Sequence, residues 1–361
     1  MNPVKRPQDT DEMPQVLFSQ LMIEITMSIL YQDLPVVYDT GEILEDKTDW
    51  RKLKLKSAAV SRSMGMTPNI DQVALLKRSV VMDGCGARLT FACDRSNNKR
   101  LISAWFCKDR MCPACQKRRS LIVFHQVKDV CLSLQTEFKT TEYLLLTLTI
   151  PNVPIEELKS SMATMNKAWA KMSNRVEVKK AISGWFKALE VTCSFRTEKD
   201  SSYHPHFHIL IAVPGNYFKG RHYIKQGRWL ELWQESMKMP EITQVDVRKV
   251  KPNPKKENST AIESAAAEVG KYATKPSNYL MKHNGDYIAN GAVIDDLAIA
   301  LKGARLTAFG GRMKEHYIKL GLEDVESDSL DMVHVTGDND LIDAVMIQVY
   351  TWNVGHKRYI G

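Results

Sequence analysis

The stretch Tyr203-His204-Pro205-His206-Phe207-His208-Ile209-Leu210-Ile211-Ala212-Val213 decides the fold class. From His206 onward it is rich in apolar and β-branched residues and stops at Pro214-Gly215, the pattern of a buried strand. Alternate side chains on a strand share a face, so His206 and His208 project together while Phe207 turns to the opposite side and packs. Two imidazoles on one face are a ready pair of ligands for a divalent cation. His204 has the same parity but precedes Pro205, which puts it at the mouth of the strand. A third ligand is expected from a neighbouring strand. The run Ala188 to Phe195, separated from the histidine strand by polar residues 196–203, reads as its antiparallel neighbour and carries Glu190 among apolar residues. An uncompensated carboxylate in such a place is costly, which argues for a cation beside it.

Working outward, Tyr143 to Asn152 (YLLLTLTIPN) is another buried strand, residues 155–183 and 229–239 read as helical, and Gln244 to Val250 as a short strand. Residues 251–260 (KPNPKKENST) form an exposed linker. Thr260-x-x-Glu263 is a capping-box pattern opening an Ala-rich helix that should run to about Thr274, before Pro276. Strands and helices without strict βαβ alternation predict an α+β domain over 136–322, a central antiparallel sheet flanked by helices. On the capped helix Glu268 and Tyr272 are four positions apart and share a face, flanked by Lys271 and Lys275. A tyrosine phenol can attack phosphorus to give a phosphotyrosine, and a carboxylate one turn away can activate water. The two lysines would neutralise the charge that develops.

Cysteines and charge define a second unit. Of seven Cys, three crowd into Cys107-x4-Cys112-x2-Cys115, a metal-knuckle spacing that suits a reducing compartment better than a disulfide framework. A fourth ligand must come from Cys85, in the turn-like Asp83-Gly84-Cys85-Gly86, or from Cys93 in an apolar run; the flanking glycines favour Cys85, and zinc is the default ion for four thiolates. Cys131 and Cys193 read as small core residues. The chain of 361 residues carries 50 Lys+Arg against 42 Asp+Glu, a net +8, but the charge is uneven. Residues 99–119 hold seven basic residues and one acid, whereas 320–346 hold eight acids and no Lys or Arg. The run Lys117-Arg118-Arg119 beside the cysteines is expected to contact phosphates. Residues 81–135 therefore read as a zinc-binding, DNA-contacting module, 1–80 as a helical N-terminal region with Leu17 to Leu30 and Gln72 to Val80 at helical spacing, and 323–361 as an acidic C-terminal tail. At 44% hydrophobic and 25% charged the composition excludes wholesale disorder, and no membrane span or export signal is legible, so a cytoplasmic location is expected.

Six motifs in order, Cys107-x4-Cys112-Pro-x-Cys115-x-Lys-Arg-Arg, LLTLTIPN (145–152), GWFKALEVT (184–192), YHPHFHILIAV (203–213), EVGKYATK (268–275) and LTAFGGRMKE (306–315), resemble the replication initiators of rolling-circle plasmids, members of the HUH endonuclease superfamily. The resemblance spans about Trp50 to Asp324 and implies a nickase of one strand at a plasmid's double-strand origin. It implies that His206, His208 and Glu190 hold Mg2+ or Mn2+ against the scissile phosphate, and that Tyr272 attacks, stays joined to the DNA 5′ end and leaves a 3′-OH primer. Glu268 would activate water at termination. The two-tyrosine pattern of other branches is not matched, since Tyr279 lies beyond Pro276. The resemblance also supports Cys85 as the fourth zinc ligand. Arg305 and Arg312, around Gly310-Gly311, join Lys271 and Lys275 as DNA-contacting candidates. Expected partners are origin DNA, host helicase and the replication machinery, with no membrane; the oligomeric state is open, a homodimer included. Competing readings are a single-tyrosine HUH transposase, disfavoured because no recombination domain is legible, and a non-catalytic zinc-binding DNA regulator, which leaves Glu268 and Tyr272 without a role.

Overall fold

The computed structural model describes residues 34–68, 71–194, 202–252, 254, 260–270, 276–335 and 343–361. The strands are β1 (Val36–Val37), β2 (Arg88–Asp94), β3 (Lys99–Ala104), β4 (Glu142–Thr149), β5 (Gly184–Ser194), β6 (Ser202–Val213), β7 (Asp246–Lys249), β8 (Leu280–His283), β9 (Asp286–Ala289), β10 (Thr307–Gly311), β11 (Ala344–Asn353) and β12 (Arg358–Ile360). The helices are α1 (Trp50–Ser63), α2 (Gln72–Asp83), α3 (Pro113–Glu137), α4 (Ile155–Ser173), α5 (Val176–Ala181), α6 (Gln226–Met237), α7 (Ala261–Val269), α8 (Gly291–Ala300) and α9 (Arg312–Lys319). The architecture is α+β. Among the described residues no helix is long and apolar enough to cross a membrane.

The central sheet has five antiparallel strands in the order β10-β5-β6-β4-β7. Its middle strand, β6, is the histidine strand, and Ile209 through Val213 are fully buried. One face, carrying Lys187 and Phe207, is covered by α4 and α6: Lys187 reaches Asn166 of α4, and the Phe207 and Trp233 rings lie 6.4 Å apart. On the opposite face Phe186 of β5 meets Phe309 of β10, whose ring stacks on Tyr317 of α9. The β5–β10–α9 junction demands glycine. A Cβ on Gly184 would sit 2.6 Å from the Met313 nitrogen, and one on Gly310 would enter the Trp185 indole at 2.2 Å. The LTAFGG motif is thus an edge strand whose small residues let α9 close onto the sheet.

The helical reading of 155–183 resolves into α4 and α5, broken at Asn174-Arg175. The Thr260/Glu263 capping box forms as expected, but α7 ends at Val269, and residues 271–275 lie outside those described, as do the expected helix Leu17 to Leu30 and most of the linker. The expected acidic tail requires correction. Residues 344–360 form β11 and β12 in a second five-stranded sheet, order β1-β11-β2-β3 with β12 on β11. The eight acids fall within 323–343 and end before β11 begins, so the strand pattern of AVMIQVYTWN was obscured by charge that belongs to the segment before it. Nor is that segment solvated throughout: Val325, Leu330, Met332 and Val335 are buried.

Candidate functional site

Sheet register brings the first cluster together. Glu190 of β5 lies opposite His206 of β6, and Ala188 opposite His208, so the carboxylate and both imidazoles share one face. Glu190 is fully buried; its Oε2 lies 2.8 Å from His208 Nε2 and 3.3 Å from His206 Nε2. His206 Nδ1 is 3.1 Å from the His204 carbonyl, which can only accept, so Nδ1 donates and Nε2 is the nitrogen that faces Glu190. A buried carboxylate set against two imidazole nitrogens is a place where positive charge, carried by a proton or a metal ion, is stabilised. The donor atoms of Glu190, His206 and His208 all lie within 4.8 Å of one another, a mixed nitrogen and oxygen set that fits a divalent metal with coordination positions to spare. His204, at the strand's mouth, is hydrogen-bonded through Nε2 to Thr149 Oγ1. Burial, helped by the neighbouring His206, pushes its imidazole below the usual value.

The helix carrying Glu268 lies over this face. Asp246 and Arg248 of β7 have the parity of Thr147, and Thr147 pairs with His208. Arg248 Nη2 reaches across to Glu268 Oε1 at 3.7 Å. Gly270 ends α7 so close to α3 that a Cβ there would stand 3.4 Å from Phe124 and 2.7 Å from the Ala266 carbonyl. Tyr272, Lys271 and Lys275 lie outside the described residues. The chain on their far side is tied to the Glu190/His206/His208 cluster: Asn278 Nδ2 donates to the carbonyl of Val191, next to Glu190, at 3.0 Å. Tyr279 is buried, and its hydroxyl is 3.0 Å from Gln116 Nε2 and 3.2 Å from the Met111 carbonyl, facing away from the histidines. Arg248 and Asn278 were not singled out from sequence. Parity along β7 carried the only signal for Arg248, and Asn278 carried none.

The second cluster gathers Cys85, Cys107, Cys112 and Cys115. Cys85 sits in the turn after α2, Cys107 follows β3, and Cys112 and Cys115 open α3. Their sulfurs are 3.6–3.7 Å apart along the Cys85–Cys115, Cys107–Cys115 and Cys85–Cys112 edges. That is too long for a disulfide and close to the roughly 3.8 Å edge of a tetrahedron with ~2.3 Å metal–sulfur bonds. Burial alone would raise the Cys112 thiol, but hydrogen bonds from Cys107, Cys115, Cys85 and Ser57 bring it well below the usual thiol value, while the same contacts push Cys115 up, so one negative charge is shared by the cluster. Cys93 stays on β2 with its thiol toward Gln348 Oε1 at 3.2 Å, pushed up to about 11 by burial.

The basic run beside this cluster is corrected. Arg118 and Arg119 are buried, donating to the carbonyls of Met332 and Val333 and of Val325 and Lys108 respectively. They hold the 325–335 segment against α3 instead of facing phosphates, because helical rotation turns them inward and leaves Lys117 exposed. Arg305 remains largely exposed near Asp324, and the Arg312 guanidinium stacks 4.1 Å over the Phe138 ring.

Residues 98–360 match the Rep_1 family of replication proteins. The chain is 32% identical over 331 residues to "Protein rep" of Lactiplantibacillus plantarum, covering 88% of this chain and 99% of that one. It is 30% identical over 316 residues to "Protein rep" of Streptococcus pneumoniae serotype 2, covering 86% and 91%, and 32% identical over 338 residues to that of Bacillus amyloliquefaciens, covering 88% and 97%. No solved structure matches the fold. With the family match running over most of its length and near-full-length relatives carrying one name, the chain belongs to the Rep_1 family of replication proteins.

Proposed function

We propose that this protein is a rolling-circle plasmid replication initiator with an HUH endonuclease fold, acting on origin DNA as a site-specific single-strand nickase. The observation that carries the reading is the convergence of Glu190, His206 and His208 beneath the helix that leads into Tyr272. Bound to these three side chains, Mg2+ or Mn2+ would neutralise charge on the scissile phosphate. Tyr272 Oη attacks phosphorus, forming the phosphotyrosine bond as the P–O3′ bond breaks; the phenolic proton is lost and the departing 3′-oxygen is protonated, leaving a 3′-OH primer. Lys271 and Lys275 flank the nucleophile and offset the added negative charge. Glu268, held by Arg248, takes the proton of water at termination, the role a second tyrosine would otherwise fill. A structural Zn2+ would occupy the Cys85/Cys107/Cys112/Cys115 cluster. Host helicase and the replication machinery are the partners expected to extend the primer.

The test uses the purified protein with a supercoiled plasmid carrying its own origin and Mg2+ or Mn2+. The wild-type chain gives nicked circles. His206→Ala with His208→Ala loses nicking while duplex binding in a gel-shift assay persists. Nicking at wild-type rate by the double variant would remove this centre from the mechanism.

A further inference from the structure

Helix α1, which precedes the residues matched to the family, has a strongly one-signed sequence: Arg51, Lys52, Lys54, Lys56 and Arg62 with no acid among its 14 residues. Its inner side is fixed. Lys54 Nζ donates to the carbonyls of Asp83 and Cys85 at 2.5 and 2.9 Å, and Ser57 Oγ lies 3.3 Å from Cys112 Sγ, so the cysteine cluster holds the helix. Arg51, Lys52 and Arg62 are exposed and Lys56 half-buried. Burial, and then the charge of Lys52 beside it, lowers the Lys56 ammonium below its usual value, a crowding that a polyanion would relieve.

Two further elements extend this face. Arg51 Nε donates to the Lys357 carbonyl in the β11–β12 turn at 2.9 Å, and Lys357 Nζ pairs with Asp286 at the tip of the β8–β9 hairpin at 2.7 Å. The acids at hand are Asp286, Asp49 and Asp46; Asp49 is engaged as the N-cap of α1, and Asp46 accepts from Trp50 Nε1 at 2.8 Å. We propose that Arg51, Lys52, Lys56, Arg62 and Lys357 form a binding surface for the phosphate backbone of duplex DNA, separate from the Glu190/His206/His208 centre.

Duplex is favoured over single-stranded DNA by shape and composition. The helix is about 21 Å long, a span of roughly six phosphates along one strand. Single-strand sites present bare aromatic rings for stacking. Here the Tyr287 ring is covered by the Lys56 ammonium, 5.4 Å from its centroid. The hairpin links this surface to the nicking centre, since Asn278 at its root bonds to Val191 and β8 then rises about 10 Å toward the Asp286–Lys357 pair. The surface therefore lies within about one duplex turn, ~34 Å, of the proposed scissile phosphate. Such a surface would hold flanking duplex while the strand at the centre is cut.

The experiment measures binding of the full chain to a fluorescent random-sequence 24-base-pair duplex across a salt series, without added divalent cation, so its outcome is independent of nicking. Arg51→Gln with Lys52→Gln should weaken binding about tenfold near 0.1 M salt and reduce the slope of log affinity against log salt by about 2. The charge-matched control, Lys179→Gln with Lys180→Gln on exposed positions of α5, should change affinity less than twofold. Arg62→Gln, tested separately, should reduce the slope by about 1. Equal losses in the two double variants, no loss in either, or a loss confined to a single-stranded oligothymidine probe would overturn the proposal.

Discussion

Lys187 lies directly behind the histidine strand, its ammonium 4.2 Å from the centroid of the Phe207 ring and hydrogen-bonded to Asn166. Burial lowers it from 10.5 to about 8, with the charge of Arg305 adding to the effect. Because the folded value is the lower one, the unfolded chain binds more protons between about pH 8 and 10.5, and stability rises with pH across that window. Below pH 8 the penalty is fully present. Lys187→Met should therefore be more stable than wild type at pH 7, by on the order of 2 kcal/mol, and should lack the extra gain on raising the pH to 10. Denaturant unfolding at the two pH values measures this, and parallel shifts in both proteins would contradict it. Neither Lys187 nor Arg248 was legible as special in the sequence, since parity names a face but not the partner that a distant helix brings to it. Glu190 was legible, because an acid inside an apolar strand beside a histidine pair has few other uses.

Among the elements, strand periodicity identified β4, β5 and β6, where long apolar runs leave little alternative. The reading failed at β11. There the central strand of the second sheet follows directly on an acidic segment, whose charge masks the apolar pattern of the strand. It failed likewise at the first turns of α3, where a run of three basic residues looked like a surface but wraps around the helix, so that two of them point inward to backbone carbonyls. Helix α7 was legible from its capping box. Thr260 Oγ1 accepts from the Glu263 backbone N–H, the Glu263 carboxylate accepts from the Thr260 N–H, and Lys128 of α3 pairs with Glu263 at 2.9 Å, so the helix is anchored at its start as well as at Gly270. A helix fixed at both ends presents Glu268 in one place, over the sheet face that bears the histidines. Glu268→Ala should consequently nick and form the covalent adduct at near wild-type rate but release closed single-stranded circles at least tenfold more slowly. Normal release in a replication assay would exclude the proposed role.

At the scale of the whole molecule two sheets are joined by α3, whose N-terminus supplies two cysteines to one cluster and whose middle packs against α7 at the other. Cysteine spacing made the first cluster legible, and the glycines around Cys85 pointed to the fourth thiol. The joining of the two units was not legible, because it depends on the 325–335 segment folding back onto α3 through Arg118 and Arg119. The cysteine cluster also holds α1, so zinc should affect the whole protein and not a local knuckle. Metal analysis should find about one zinc per chain, lost together with several degrees of thermal stability in Cys107→Ser with Cys112→Ser; full zinc content in that double variant would refute the site. The central claim is that replication begins by covalent transfer of DNA to Tyr272. Its most direct measurement is denaturing electrophoresis of the protein after incubation with Mg2+ or Mn2+ and origin DNA labelled on the 3′ side of the nick, the segment whose 5′ end would join the protein. Wild type should carry label in a protein–DNA band and Tyr272→Phe should carry none, whereas an undiminished band in Tyr272→Phe would contradict the account.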